Sequence, residues 1–126
     1  MNRFIFYNPN PSNKSVGDCV VRAVSKALNI DWYDSYGLLC ERGRIMNDMP
    51  NANAVWGDLL KTYGFKKFMT PNSCPNCYTV LDFCIDHPRG KYVLATGSHV
   101  LTCEDGFYFD SWDSGFEPII YYYKEV

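Results

Sequence analysis

The rhythm of apolar and polar positions changes partway along the chain. Between positions 18 and 29, Val20, Val21, Val24, Ala27 and Leu28 recur at helical spacing. Asp18 is the expected N-cap, its carboxylate accepting from free N–H groups of the first turn, and Asn29 the expected stop. A second helix is predicted over 32–41, carrying Tyr33, Tyr36, Leu39 and Cys40, with "ERGR" ending it. A third spans about 54–63 and closes at Gly64, a glycine in C-cap position. Thr79 caps a short fourth helix that stops before Pro88. Thereafter "KYVLAT", "HVLTC", "FYFDSW" and "PIIYYY" are short, β-branched and aromatic, separated by "GS", "EDG" and "DSGFE". They predict an antiparallel meander, and "RFIFY" near the start predicts one more short strand. Helices first and sheet second imply an α+β fold in a single domain spanning 1–126.

Composition narrows the function classes. The 126 residues are 47% hydrophobic and 17% aromatic with a formal net charge of −2, an ordinary globular profile that can bury its own core. Lysine and arginine are scattered, so nucleic acid is not the expected partner, and the ten tyrosines lack the basic groove of a stacking platform. No segment approaches the length of a membrane span, and "MNRFIFYNPN" is too short for a signal-peptide core. The expected location is the cytoplasm, with the six cysteines mostly free thiols.

One of these thiols stands apart. On a wheel of about 100° per residue with Cys19 at the origin, the apolar residues of the first helix fill an arc from about 40° to 200°. Arg22 and Lys26 lie on the other side, so Cys19 sits at the seam between the apolar stripe and a basic face. It also occupies the first turn, where the helix dipole favours an anion and lowers a thiol pKa. Taken alone, the helix still favours a cysteine that merely packs, because free cysteine is among the most buried residue types.

The second half of the chain supplies partners. His87 precedes Pro88 at a helix end and reads as a solvent-side terminator, whereas His99 opens "HVLTC". A two-residue Asp105–Gly106 turn sets Glu104 opposite Phe107, which places His99 diagonal to Asp110 and opposite Trp112 on one face. A bulge or longer loop would bring Asp113 beside the histidine instead. Cys19, His99 and Asp110 then form a nucleophile, base and orienting acid from three segments.

"GDCVVRA" together with "GSHVLTCEDGFYFDSWDSG" resembles the small papain-like cysteine peptidase-fold proteins common in phages and prophages. The resemblance runs in order over most of the chain, including "TVLDF" and "HPRGKYVLAT". It implies a papain-like fold, with the nucleophile at a helix start packed on a C-terminal antiparallel sheet. It also implies that Asp110 orients His99 and that Trp112 shields their hydrogen bond. The family's amide donor six residues before the nucleophile falls on Asn13, with Ser15 a second candidate for the oxyanion hole; removing such a donor typically costs about 3 kcal/mol in the barrier. The expected activity is that of a cysteine hydrolase, a peptidase or isopeptidase acting on a protein or peptide substrate through a covalent acyl-enzyme, without cofactor. The alternative is a non-catalytic papain-fold binding module, such as a phage-encoded inhibitor of a host protein. Oligomeric state is left open.

A competing pattern is C-x2-C-x6-C-x2-H, formed by Cys74, Cys77, Cys84 and His87. A helix over 79–87 would leave Cys77 about 10 Å back along the axis, too far for zinc ligands to share one metal.

Overall fold

The computed structural model describes residues 2–126. The chain runs β1 (Phe4–Phe6), α1 (Cys19–Leu28), α2 (Trp32–Met46), α3 (Asn53–Thr62), β2 (Phe65–Met69), α4 (Val80–Asp86), β3 (Lys91–Ala95), β4 (Val100–Glu104), β5 (Phe107–Asp110) and β6 (Tyr121–Glu125). The fold class is α+β, with one six-stranded mixed sheet in the order β1-β5-β4-β3-β6-β2.

Two apolar clusters cover the two faces of that sheet. On one, Val20 and Val24 of α1, Leu39 of α2 and Trp56 and Leu60 of α3 pack on Val93, Val100 and Tyr123. On the other, Phe83 and Cys84 of α4 pack on Leu94, Leu101, Cys103 and Tyr108. Neighbours such as Val93 and Leu94 enter opposite clusters, as the period-two alternation of a strand demands. Burial on both faces is why β3 and β4 read as unbroken apolar runs rather than as alternating ones.

The hairpin between β4 and β5 has the expected register, with Glu104 paired to Phe107 and Thr102 to Phe109. Asp105 and Gly106 both take positive φ, 51° and 82°, which a two-residue turn of this twist requires and which Asp-Gly supplies. The meander, however, stops after three strands. Strand β6 does not follow β5 but pairs with β3, because β1 lies parallel along the free edge of β5. On its other side β6 accepts β2, whose "FKKFM" has no clean alternation and was not expected to be a strand.

Helix α2 also runs past its expected end. "ERGR" does not break it, and the helix continues to Met46 before Asn47 caps it in the left-handed conformation. Gly43 is buried against the backbone of the following loop, where a Cβ would stand 2.8 Å from the Asp48 carbonyl oxygen. Glycine is therefore retained mid-helix for close approach, at a cost of about 1 kcal/mol in helix propensity. The polar "NPNPSNK" stretch is pinned by Asn10, whose side-chain oxygen accepts from the Ser12 and Lys14 N–H groups. Among the described residues, no helix is long and apolar enough to cross a membrane.

Candidate active site

Helix α1 begins at Cys19, so the thiol stands at the helix end whose first N–H groups have no partner within the helix. One end of β4 lies across from it. His99, just before that strand, is held by the tight turn in which its carbonyl accepts from the Thr96 N–H at 2.9 Å. The Cys19 thiol and the His99 ring line one cleft, near enough for each to shift the other's titration. The other side of the ring is fixed, with Nε2 at 2.6 Å from Asp110 Oδ2 where β5 ends. Nδ1 is thus the nitrogen left for the sulfur. Trp112 packs over the imidazole with ring centroids 4.8 Å apart while its own ring stays half exposed.

Asp110 is fully buried, yet every side of its carboxylate is occupied. Oδ2 accepts from His99 and from the Ser114 hydroxyl at 2.6 Å. Oδ1 accepts from Arg22 at 2.9 Å and from the Ser111 N–H at 2.8 Å. Asp113, the alternative acid, faces away and accepts from the Tyr108 hydroxyl and the Gly115 N–H.

Two expectations about α1 change. Arg22, placed on an outer basic face by the helical wheel, is buried, because its guanidinium bridges Asp110 and Asp18. Asp18 makes no side-chain cap; Oδ1 accepts from Arg22 at 2.5 Å and Oδ2 from the Trp32 indole N–H at 2.9 Å. The residue before the nucleophile is thereby tied to the acid that holds the histidine, through one arginine. The i,i+4 spacing of Asp18 and Arg22 was a visible signal of half this bridge. The Trp32 contact comes from the first residue of α2.

Electrostatics follow from this packing. Burial pushes the Cys19 thiol up, but the His99 hydrogen bond, the Val100 backbone and the His99 and Arg22 charges outweigh it, and the net shift is downward. Burial likewise pushes His99 down, but hydrogen bonds and charge from Asp110 and Cys19 raise it to about 9. Asp110, though buried, is lowered by the His99 and Ser114 hydrogen bonds, the His99 charge and the Ser111 N–H. A low thiol pKa beside a high imidazole pKa favours a thiolate–imidazolium pair.

The shifts have a stability consequence that is cleanest in Cys19→Ser, where the thiol's own titration is absent. The folded value of His99 lies above its unfolded 6.5, so its contribution is complete below about pH 6.5. It is lost as pH rises through the folded value, about 9 in the intact site and lower without the thiolate. Asp110 acts in reverse, contributing above the usual carboxylate range of about 4 and losing that contribution as pH falls through its depressed folded value. Thermal melts of Cys19→Ser are expected to be flat between about pH 4 and 6.5 and to decline toward pH 9. Adding His99→Gln should remove the alkaline decline; an unchanged slope would contradict the raised histidine.

A cleft of about 270 Å³ opens beside the thiol, lined by Cys19, His99, Ser98, Thr96, Asn51 and Asn53. Asn13 does not line it, nor does Ser15. Asn13 lies exposed in the preceding loop at φ 55°, its N–H donating to the Asn10 carbonyl. The side-chain amides at the cleft are instead Asn51 and Asn53, both just ahead of or at the start of α3. Asn53 has its oxygen engaged by the Trp56 indole N–H at 3.0 Å. Sequence reasoning missed both, since nothing local marks a loop amide as facing a thiol 30-odd positions earlier.

The zinc pattern does not assemble. Cys74 and Cys77 are joined to each other as a disulfide, and Cys84 turns inward with its sulfur 3.0 Å from that of Cys103. His87 caps α4 through a contact of Nδ1 with the Phe83 carbonyl at 2.8 Å and stacks on the Phe83 ring. Among the described residues, no three His, Cys, Asp or Glu side chains converge as a metal-binding group. Comparison with protein-family models, curated proteins and solved structures returned no match to this chain.

Proposed function

We propose that this protein is a cysteine hydrolase of papain-like fold, a peptidase or isopeptidase that works through Cys19, His99 and Asp110. The observation that carries the reading is the convergence of three groups: a thiol at a helix start, an imidazole lining the same cleft, and imidazole Nε2 on a buried carboxylate. In this mechanism the Cys19 thiolate adds to the substrate carbonyl carbon, forming a C–S bond and an oxyanion. Imidazolium at His99 gives its proton to the leaving amine as the C–N bond breaks, and a thioester remains. His99 then takes a proton from water, whose oxygen displaces the thiolate and releases the acid. Asp110 holds the ring in one tautomer and stabilises its charged form. The Cys19 N–H is one oxyanion donor, and an amide of Asn51 or Asn53 is better placed for the second than Asn13.

The second reading is a papain-fold binding module without turnover, and the exposure of Asn13 away from the cleft favours it. An activated acetyl ester separates the two. The hydrolase gives a stoichiometric burst of alcohol, an acetyl group on Cys19 by mass spectrometry, and continued release; Cys19→Ala shows none of these. Acetylation of Cys19 without any deacylation, or equal acetylation of several thiols, would refute the hydrolase.

A further inference from the structure

The Asp110 carboxylate is held by four donors of different origin. The Ser111 N–H and the Ser114 hydroxyl belong to the loop that follows Asp110 and travel with it. His99 is the group being oriented. The fourth, Arg22 Nη2 at 2.9 Å, reaches in from α1, the helix that starts with Cys19. Among the described residues, it is the one side-chain hydrogen bond that ties the orienting acid to the nucleophile's helix. Strand β4 has its own tie, the Thr102 hydroxyl donating to the Ala23 carbonyl at 2.7 Å. Cys19, Arg22 and Ala23 stand at i, i+3 and i+4, so one turn of helix presents the thiol and both anchors.

The guanidinium itself has little room to swing. It is buried, and Nη1 donates to Asp18 Oδ1 while Asp18 Oδ2 accepts from the Trp32 indole at 2.9 Å. Helix α2 therefore braces the far side of the bridge. Lys26, one turn further along α1, turns instead to Glu104 at 3.4 Å and offers no substitute. A buried arginine between two carboxylates is a costly way to fill space, since apolar side chains of similar volume are often as stable or more so. What an apolar side chain does not do is hold a carboxylate at a fixed place and angle.

Resting on the hydrolase reading above, we infer that Arg22 is a positioning residue that acts through Asp110 to fix the His99 imidazole relative to the helix carrying Cys19. It touches neither substrate nor reacting atoms. Lysine cannot replace it, because one ammonium nitrogen lacks the planar fork that spans two carboxylates. Lysine does keep the charge, which by itself lowers the Cys19 thiol. Arg22→Lys therefore separates position from charge.

The test compares wild type with Arg22→Lys and with Ser35→Ala, each checked as folded by near-UV circular dichroism. Ser35 is buried against α1 through Ser25, so its loss loosens the same helix without touching Asp110. The first readout is the far-downfield proton resonance of His99 Nε2–H on its carboxylate, identified by its absence from His99→Gln. It is expected in wild type and Ser35→Ala and lost in Arg22→Lys. The second is alkylation of Cys19 by iodoacetamide at pH 6.5, expected to be about fivefold slower in Arg22→Lys and unchanged in Ser35→Ala. Should the lysine variant fail to fold, Arg22→Met/Asp18→Asn removes the bridge without leaving Asp18 charged, and there the loss of the resonance decides. A resonance that persists in a folded Arg22 variant overturns the inference, whatever happens to the rate. So does an equal loss in Ser35→Ala, or a wild type that lacks the resonance. The hydrolase reading is judged separately: no acetyl group on wild-type Cys19 from the activated ester refutes it, while the resonance still decides the hold of Arg22 on His99.

Discussion

At pH 6.5, iodoacetamide is expected to modify Cys19 at least tenfold faster in the wild-type protein than in His99→Ala. An ordinary thiol of pKa about 8.5 is roughly 1% ionised at that pH, and alkylation follows the thiolate. In the native site the downward shift at Cys19 owes its largest favourable contribution to the His99 ring, which adds its charge as well. Removing the ring leaves burial, which raises the thiol, opposed by the Val100 backbone and Arg22. Each pKa unit changes the thiolate fraction about tenfold, while the weaker nucleophilicity of a low-pKa thiolate returns a little under half of that logarithm. The net gain in rate is therefore smaller than the gain in thiolate fraction. Cys40, half-buried and unpaired, serves as an internal reference whose rate should not change. Site-resolved mass spectrometry reads both, and equal slow rates at Cys19 and Cys40 in wild type would sink the activated-thiol reading.

The largest loss of stability is expected from Arg22→Met. The guanidinium is buried and satisfies one oxygen each of Asp18 and Asp110, which are themselves buried. Cutting a buried ion pair on one side typically costs about 3–5 kcal/mol, because the remaining charge is left without its partner. Here two carboxylates are orphaned at once, though Asp110 keeps His99, Ser114 and Ser111 and Asp18 keeps Trp32. Against a total stability of about 5–15 kcal/mol for a domain, such a loss approaches unfolding at room temperature. Urea denaturation followed by circular dichroism measures it. The deficit relative to wild type should shrink as the pH falls below about 4, because the wild type itself loses the Asp110 contribution when that carboxyl group protonates. A variant within about 0.5 kcal/mol of wild type would mean that the arginine is an ordinary surface residue.

How these residues came to be readable, or not, depends on the range of the interactions involved. Asp105–Gly106 announces its own turn through left-handed backbone angles, and the turn alone sets the register that brings His99 to Asp110. Thr79 and Asp82 form a capping box within four residues, so the short helix after the disulfide loop was equally visible. Arg22 was misplaced because a helical wheel assumes one buried face. Helix α1 is packed on more than one side, against the sheet and also against α2, where Ser25 and Ser35 meet through their hydroxyls. A basic residue on the supposed outer face is then enclosed, and a carboxylate 88 positions away joins Asp18 in making that burial tolerable.

By itself, the sequence determined what a few neighbouring residues decide. That covers four helices and their starts, the β4–β5 hairpin, a thiol at a helix N-terminus, and a histidine and an aspartate in one register. Tertiary structure decided the rest: β6 beside β3, α4 behind the sheet, Arg22 between two carboxylates, and Asn51 and Asn53 rather than Asn13 at the cleft. Turn angles and hydrophobic period act along the chain. The edge of a strand or the partner of a buried charge depends on which distant segment arrives there, and no local pattern carries that information.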